Sequence, residues 1–139
     1  MEKSDFLNYR ALVLEVRQLQ SYLVSLERAL DSISSPQFSF TPKGPHSGGS
    51  PVEKQVVRFL DVQELYKAKL AEKLSQLASV EQAIDSLDSP AERLVMRLRY
   101  LEGRSWVGVC MEFQKLGYCE RVVYQIHGAA LKKLKEVDA

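Results

Sequence analysis

The chain has 139 residues, is 45% hydrophobic and carries a formal net charge of +1 at pH 7. This apolar content excludes an intrinsically disordered chain, and no stretch reaches the roughly 20 consecutive apolar residues of a membrane-spanning helix. The N-terminal "MEKSDF" lacks the charged, apolar and small-residue order of a secretion signal. We therefore expect a cytoplasmic protein with no membrane partner.

The first predicted element is a long helix with a narrow apolar side. Apolar residues recur at alternating spacings of three and four, which is typical of a coiled-coil helix that packs against a partner. This first seam consists of Tyr9, Leu12, Val16, Leu19, Leu23, Leu26, Leu30 and Ile33. We predict an N-terminal coiled-coil helix over residues 1–33, capped at its start by Ser4 or Asp5.

A linker and a second helix follow. Residues 34–51 contain four prolines and three glycines, so we predict a linker over residues 34–50. Ser50 and Pro51 then form a helix start, and a second coiled-coil helix is predicted over residues 51–88. Its seam consists of Val52, Val56, Phe59, Gln63, Tyr66, Leu70, Lys73, Leu77, Val80, Ile84 and Leu87.

Each apolar seam is too narrow for a core helix and requires a partner. The two helices can pair with each other in a hairpin, or with a second copy of the chain. We expect a homodimer formed through the long helices, and the sequence leaves open whether the seams meet within one chain or between chains.

The last fifty residues predict a three-helix domain over residues 89–139. They contain nine basic and six acidic residues, so this region is the basic part of the chain. Ser89 opens the first helix, which ends at Gly103, and Ser105 opens the second. After a turn at Gly117, a third helix runs from about Glu120 to Lys135. Its predicted inner side consists of Val123, Ile126, Ala130, Leu131 and Leu134.

The last two helices have the order of a helix-turn-helix, which binds DNA through its second helix. Arginine and glutamine hydrogen-bond to the edges of guanine and adenine, a small apolar group contacts a thymine methyl, and lysines bind phosphate. We predict a contact surface for double-stranded DNA on the outer side of the third helix. Its residues are Glu120, Arg121, Val122, Tyr124, Gln125, Lys132 and Lys133.

The amino-acid sequence of this region also resembles that of a known family. "LRYLEGRSW" and "VVYQIHGAALKKL" resemble region four of bacterial sigma factors, and more closely the phage and prophage regulators of the ArpU/RinA kind. The resemblance implies a transcriptional regulator of phage genes, an activator of late genes, with host RNA polymerase as a further partner. The chain departs from the pattern before Cys119, where "QKLG" adds three residues to the second helix or the turn.

Two function classes are weighed for this all-α chain. The first is a sequence-specific DNA-binding regulator; the alternative is a small terminase-like DNA-packaging protein, which also joins a helix-turn-helix to oligomerising helices. Cys110, Cys119 and His127 lack the spacing of a zinc site, and the chain has neither a nucleotide-binding loop nor a catalytic triad. We expect no enzymatic activity, no metal and no cofactor.

Overall fold

The structure is a computed structural model that describes residues 1–33 and 51–137. Every regular element in this part of the chain is helical, which confirms the all-α prediction. The elements are α1 (Lys3–Leu7), α2 (Tyr9–Ile33), α3 (Pro51–Asp85), α4 (Pro90–Met96) with a π-helical continuation (Arg97–Leu101), α5 (Trp106–Lys115) and α6 (Glu120–Val137). The predicted linker and its Ser50 cap lie outside the described residues.

The described chain divides into two compact units, of which Glu15–Leu74 is one. Within it, α2 and α3 run antiparallel. Lys73 Nζ lies 3.0 Å from a carboxylate oxygen of Glu15, and the rings of Tyr22 and Tyr66 stack with their centroids 5.8 Å apart. Because contacts later in α2 fall earlier in α3, these helices pair within the chain here, which is one of the two pairings that the sequence left open.

The predicted seams coincide with the burial pattern. Each seam position from Tyr9 to Leu30, and each from Val52 to Leu87, is buried or half-buried, whereas most of the intervening residues are exposed. Gln63 and Lys73 interrupt the apolar pattern and still occupy these shielded positions. Heptad spacing alone therefore identified which side of each long helix is covered.

The helix ends differ from the predicted ones in two places. The N-terminal region is broken at Asn8 into α1 and α2. Its cap is Glu2, whose backbone N–H donates to the Asp5 carboxylate at 2.9 Å, so the prediction that Ser4 or Asp5 is the N-cap is wrong. The second long helix ends at Asp85, three residues before the predicted end. Leu87, beyond that end, is buried in the core.

The other unit combines Met1–Leu14 with Ser75–Ala139, and is larger than the predicted 89–139 domain. In it, α6 packs against α4 and α5. Its largest fully buried side chains come from α1, α3, α4, α5 and α6; they are Phe6, Phe113, Ile84, Met96, Leu134, Val95, Val109 and Val123. The extreme N-terminus and the end of α3 therefore belong to the core that positions α6.

Aromatic side chains make two of the contacts that attach the N-terminal residues to this core. The Phe6 ring lies 5.7 Å from the Tyr100 ring, centroid to centroid. The Tyr9 hydroxyl donates to Glu81 at 2.7 Å. Burial and the neighbouring Glu81 carboxylate raise the pKa of Tyr9 to about 12, so this hydroxyl keeps its proton and remains a donor at neutral pH.

The π-helical segment turns the chain from α4 toward α5. The Glu102 N–H donates to the Arg97 carbonyl at 2.9 Å, a five-residue step in place of the usual four. Gly103 then ends the segment with a φ of +70°, a conformation that glycine adopts without strain. The Arg10 side chain donates to the Leu101 carbonyl at 3.0 Å. The predicted helix end at Gly103 is confirmed.

Replacement of Phe6 by alanine tests the place of the N-terminal residues in the core. Because Phe6 is fully buried, we expect the free energy of unfolding to fall by about 3–5 kcal/mol in denaturant titrations. Leu7→Ala is the matched control, since Leu7 is adjacent and 57% exposed, and it should change stability by less than about 1 kcal/mol. Equal effects of the two substitutions would show that Phe6 is not part of the core.

Candidate nucleic-acid interface

The α5–α6 connection is built from local hydrogen bonds. The Ser105 hydroxyl accepts the Gly108 N–H at 3.2 Å and caps α5, as predicted. At the other end, the Tyr118 N–H donates to the Phe113 carbonyl at 3.0 Å, and Gly117 has a φ of +90°. Because few residues other than glycine adopt this conformation, Gly117 sets the turn. Residues 116–119 form the connection, and α6 begins at Glu120.

One side of α6 is buried. Val123 and Ala130 are fully buried and Leu134 is nearly so, while Ile126 and Leu131 are half-buried against the same core. These are the inner residues that the sequence predicted. Their burial fixes the rotation of α6 about its axis, and therefore which of its residues face solvent.

His127 connects the buried side of α6 to the π-helical segment through a hydrogen bond. Its Nε2 lies 2.7 Å from the Tyr100 hydroxyl, and its ring meets the Trp106 ring edge-on at 4.6 Å between centroids. Burial, assisted by the positive charges of Lys3 and Arg99, lowers the pKa of His127 to about 4. The imidazole is therefore neutral at physiological pH and accepts or donates a hydrogen bond according to its tautomer.

The opposite side of α6 carries polar and basic residues at helical spacing. Arg121, Gln125, Gly128, Lys132 and Lys135 follow one another at steps of four and three, and all five are exposed. Such steps place them along one side of a helix. We call this set the α6 stripe. It extends for about 21 Å at 1.5 Å per residue, and it contains no acidic residue.

Most other basic side chains of this unit have a partner among the described residues, whereas those of the stripe have none. Arg121, Lys132 and Lys135 make no hydrogen bond or ion pair with any described residue. By contrast, other basic side chains in this unit are engaged with carboxylates or carbonyls. These are Arg10, Arg93, Arg97, Arg99, Arg104, Lys115 and Lys133. Among the described residues of this unit, Lys3 in α1 also has no hydrogen-bond or ion-pair partner, so three of the four unpaired basic side chains lie on α6.

Lys133, predicted to bind phosphate, has a partner inside the protein. Its Nζ lies 2.8 and 3.1 Å from the two carboxylate oxygens of Glu92, a residue of α4 that is 6% exposed. A buried carboxylate is costly unless it is paired. Lys133 thus neutralises Glu92 and ties α6 to α4, a role that the sequence did not reveal because the partners are 41 positions apart.

The remaining predicted contact residues lie at the edges of the exposed side. Val122 is half-buried and does not belong to the core cluster that Val123 joins, which agrees with the expectation that it stands outside the core. Tyr124 is 43% exposed, and its ring packs on Trp106 at 5.0 Å between centroids. Glu120 is exposed at the start of α6, where a negative charge suits the helix dipole.

An open groove of about 500 Å³ lies beside the start of α6, between it and α5. Its lining includes Trp106, Val107, Cys110, Met111, Tyr118 and Tyr124. Val107 and Met111 are 72% and 57% exposed, high values for large apolar side chains. Val107 and Met111 are four residues apart in α5 and lie outside the buried side of that helix. This spacing of apolar residues could have indicated the groove from the sequence.

Comparison of the chain with protein-family models, with curated proteins and with solved structures finds no match in any of the three. Within residues 1–33 and 51–137, no cluster of three or more histidine, cysteine, aspartate or glutamate side chains is arranged to hold a metal ion. In the same ranges, no helix has the length and apolar character that crossing a membrane requires.

The low pKa of His127 predicts a specific loss of stability in acid. The unfolded chain binds a proton near pH 6.5 and the folded chain only near pH 4. The free energy of unfolding should therefore fall as the pH is lowered through this window, by up to about 3 kcal/mol. Denaturant titrations of wild type and His127→Gln between pH 7.5 and 4 measure the difference, because glutamine has no such titration. Identical pH dependence in the two proteins would contradict this assignment.

Proposed function

We propose that this protein binds double-stranded DNA through the α6 stripe. The observation that supports the proposal is the pairing pattern of the basic side chains: most of those in this unit are held by internal partners, whereas Arg121, Lys132 and Lys135 are left facing solvent on one side of one helix. Unpaired cations along a helix are the electrostatic footprint of a phosphate-binding surface.

The order of the helices supports a helix-turn-helix mode of binding. A capped helix α5, a connection of four residues and a longer helix α6 follow one another, and α6 buries its inner side against α4 and α5. In a helix-turn-helix the start of the second helix enters the major groove. Arg121 and Gln125 are exposed one turn apart near this start, and both side chains suit hydrogen bonding to base edges.

The biological role that we propose is regulation of phage genes. It rests on the resemblance of residues 98–106 and 122–134 to region four of sigma factors and to the ArpU/RinA regulators. In this role the protein activates late genes, with host RNA polymerase as a further partner. The groove beside α6, with its exposed Val107 and Met111, favours a second candidate function, docking of a protein partner at the same end of the helix pair.

The proposed DNA contacts of α6 are of two kinds, base contacts and phosphate contacts, and substitutions of the two kinds should have different effects. Arg121→Ala and Gln125→Ala should each weaken binding to the target site by about 1–3 kcal/mol and change binding to scrambled duplex little, because base contacts carry the sequence preference. Lys132→Ala should weaken binding to the target and to the scrambled duplex equally. It should also reduce the slope of log binding constant against log salt concentration by about one. Titration of each variant with both duplexes, after selection of the target from genomic fragments, measures these effects.

One control variant accompanies this test. Lys115→Ala removes a basic side chain that pairs with Glu112, and it should leave the affinity for both duplexes within about twofold of wild type. Lys133 is unsuitable as a phosphate probe because its loss leaves Glu92 unpaired. Equal losses on target and scrambled duplex for Arg121→Ala and Gln125→Ala would show that α6 holds DNA without reading it.

We also propose that the protein acts as a homodimer through its long helices. In the Glu15–Leu74 unit, large apolar side chains remain exposed after α2 and α3 have paired within the chain. They are Tyr22, Val24, Val57, Leu60, Leu65 and Leu74, each at least 43% exposed. Exposed apolar surface of this kind is typical of an interface between protein chains.

Light scattering on the purified full chain gives the assembly state directly. We expect the mass of two chains, since two modules are needed for adequate affinity when each carries few free cations. Tyr22→Glu with Leu60→Glu should convert this species to a monomer without loss of helical circular dichroism. A ring of about eight or more chains would favour the packaging alternative, and a wild-type monomer would contradict the dimer.

A further inference from the structure

Gly128 lies in the interior of α6 on its exposed side. A glycine at such a position destabilises a helix relative to alanine, because it adds backbone freedom to the unfolded chain. Nothing in the fold requires it: a Cβ added at Gly128 would have no atom of the described chain within 4 Å. The methyl group of an alanine would stand in open space.

The two turn glycines of this unit contrast with Gly128. Gly103 and Gly117 have positive φ angles, and an added Cβ at Gly103 would lie 3.0 Å from the Arg10 Nε. Both are explained by the path of the backbone. Gly128 has an ordinary helical conformation and open surroundings, so its explanation is to be sought in something that contacts the surface of α6.

The neighbours of Gly128 identify the kind of contact. It belongs to the α6 stripe, three residues after Gln125 and four residues before Lys132. The long side chains of these two residues stand about one helical turn to either side, and the missing side chain leaves a gap between them. We call this gap the Gly128 notch. One wall donates an amide N–H and the other an ammonium group, and both are donors suited to phosphate oxygens.

We propose that the Gly128 notch is where one sugar-phosphate strand of duplex DNA crosses α6, with the backbone of the helix closer to the strand than any side chain at this position would permit. The inference deepens the proposed function and rests on it. An extended anionic strand fits the notch because the stripe has cations before and after it, Arg121 and Lys132, and no carboxylate. Gly128 is thereby a positioning residue that sets the distance of α6 from DNA.

Substitution of Gly128 by alanine should raise the stability of the protein and lower its affinity for DNA. Gly128→Ala should raise the melting temperature of the full chain by about 3 °C, because alanine is the better helix former. The same methyl group should lower the affinity for duplex DNA by about tenfold, through loss of close contact at the strand. The loss should be similar for a target and a mixed-sequence duplex, since the strand is sequence-independent.

A larger side chain placed at two adjacent positions provides the matched control. Gly128→Gln fills the notch, whereas Ala129→Gln adds the same side chain at an exposed position about 100° further round the helix. Affinity for a mixed-sequence 30-base-pair duplex is measured by fluorescence anisotropy at low salt, and melting by circular dichroism. We expect Gly128→Gln to bind at least about tenfold more weakly, and Ala129→Gln to stay within about threefold of wild type.

The outcomes separate this inference from the proposed function. If wild type binds duplex DNA and Gly128→Ala binds equally well, the notch has no role and the proposed function stands. If Gly128→Ala loses affinity and also melts at lower temperature, the glycine is structural and the inference is overturned. If wild type binds no duplex, the proposed function fails and the notch with it. Poly-L-glutamate is the comparison probe: a loss confined to that polymer would identify the notch as a site for acidic protein and contradict a DNA strand.

Discussion

The burial of one side of α6 is the constraint on which the rest of this surface depends. Val123, Ala130 and Leu134 enter a core shared by α1, α3, α4 and α5, so the helix cannot rotate without exposing them. Two polar contacts reinforce this orientation, His127 with Tyr100 and Lys133 with Glu92. Removal of Tyr100, His127 or Lys133 would leave a buried polar partner unsatisfied, which costs more than the hydrogen bond itself contributes. The packing of the buried side of α6 therefore determines which residues face solvent.

Charge is distributed by pairing as much as by composition. The C-terminal fifty residues have a modest excess of three basic residues, which would describe many helical domains. Ion pairs such as Arg97 with Asp85 and Arg104 with Glu112 remove much of the basic character from other surfaces. Within residues 90–137, the basic side chains without an internal partner are Arg121, Lys132 and Lys135, and all three lie on α6. Net charge thus underestimates how strongly one face can attract an anion, because local pairing decides which cations are available.

Much of the architecture could be predicted because it rests on local rules. The two heptad seams, the caps at Ser89 and Ser105 and the glycine turns follow from spacing and backbone preference within a few residues. Contacts between distant positions could not be predicted in the same way. Two examples are the contact of Phe6 with Tyr100 and the ion pair of Lys133 with Glu92. Both depend on how the helices pack against one another. Arg121, Gln125 and Lys132 could be proposed from sequence, but only the structure shows that they have no partner within residues 1–33 and 51–137.

The central claim, that the α6 stripe is the surface that contacts DNA, is tested most directly by residue-resolved mapping. The backbone amide signals of the 15N-labelled full chain are followed by NMR while a mixed-sequence duplex is added at low salt. The account predicts progressive shifts at Arg121, Gln125, Gly128 and Lys132 that are reversed by added salt, as counterion release requires. Shifts confined to the groove residues Val107 and Met111, with the stripe unchanged, would contradict it.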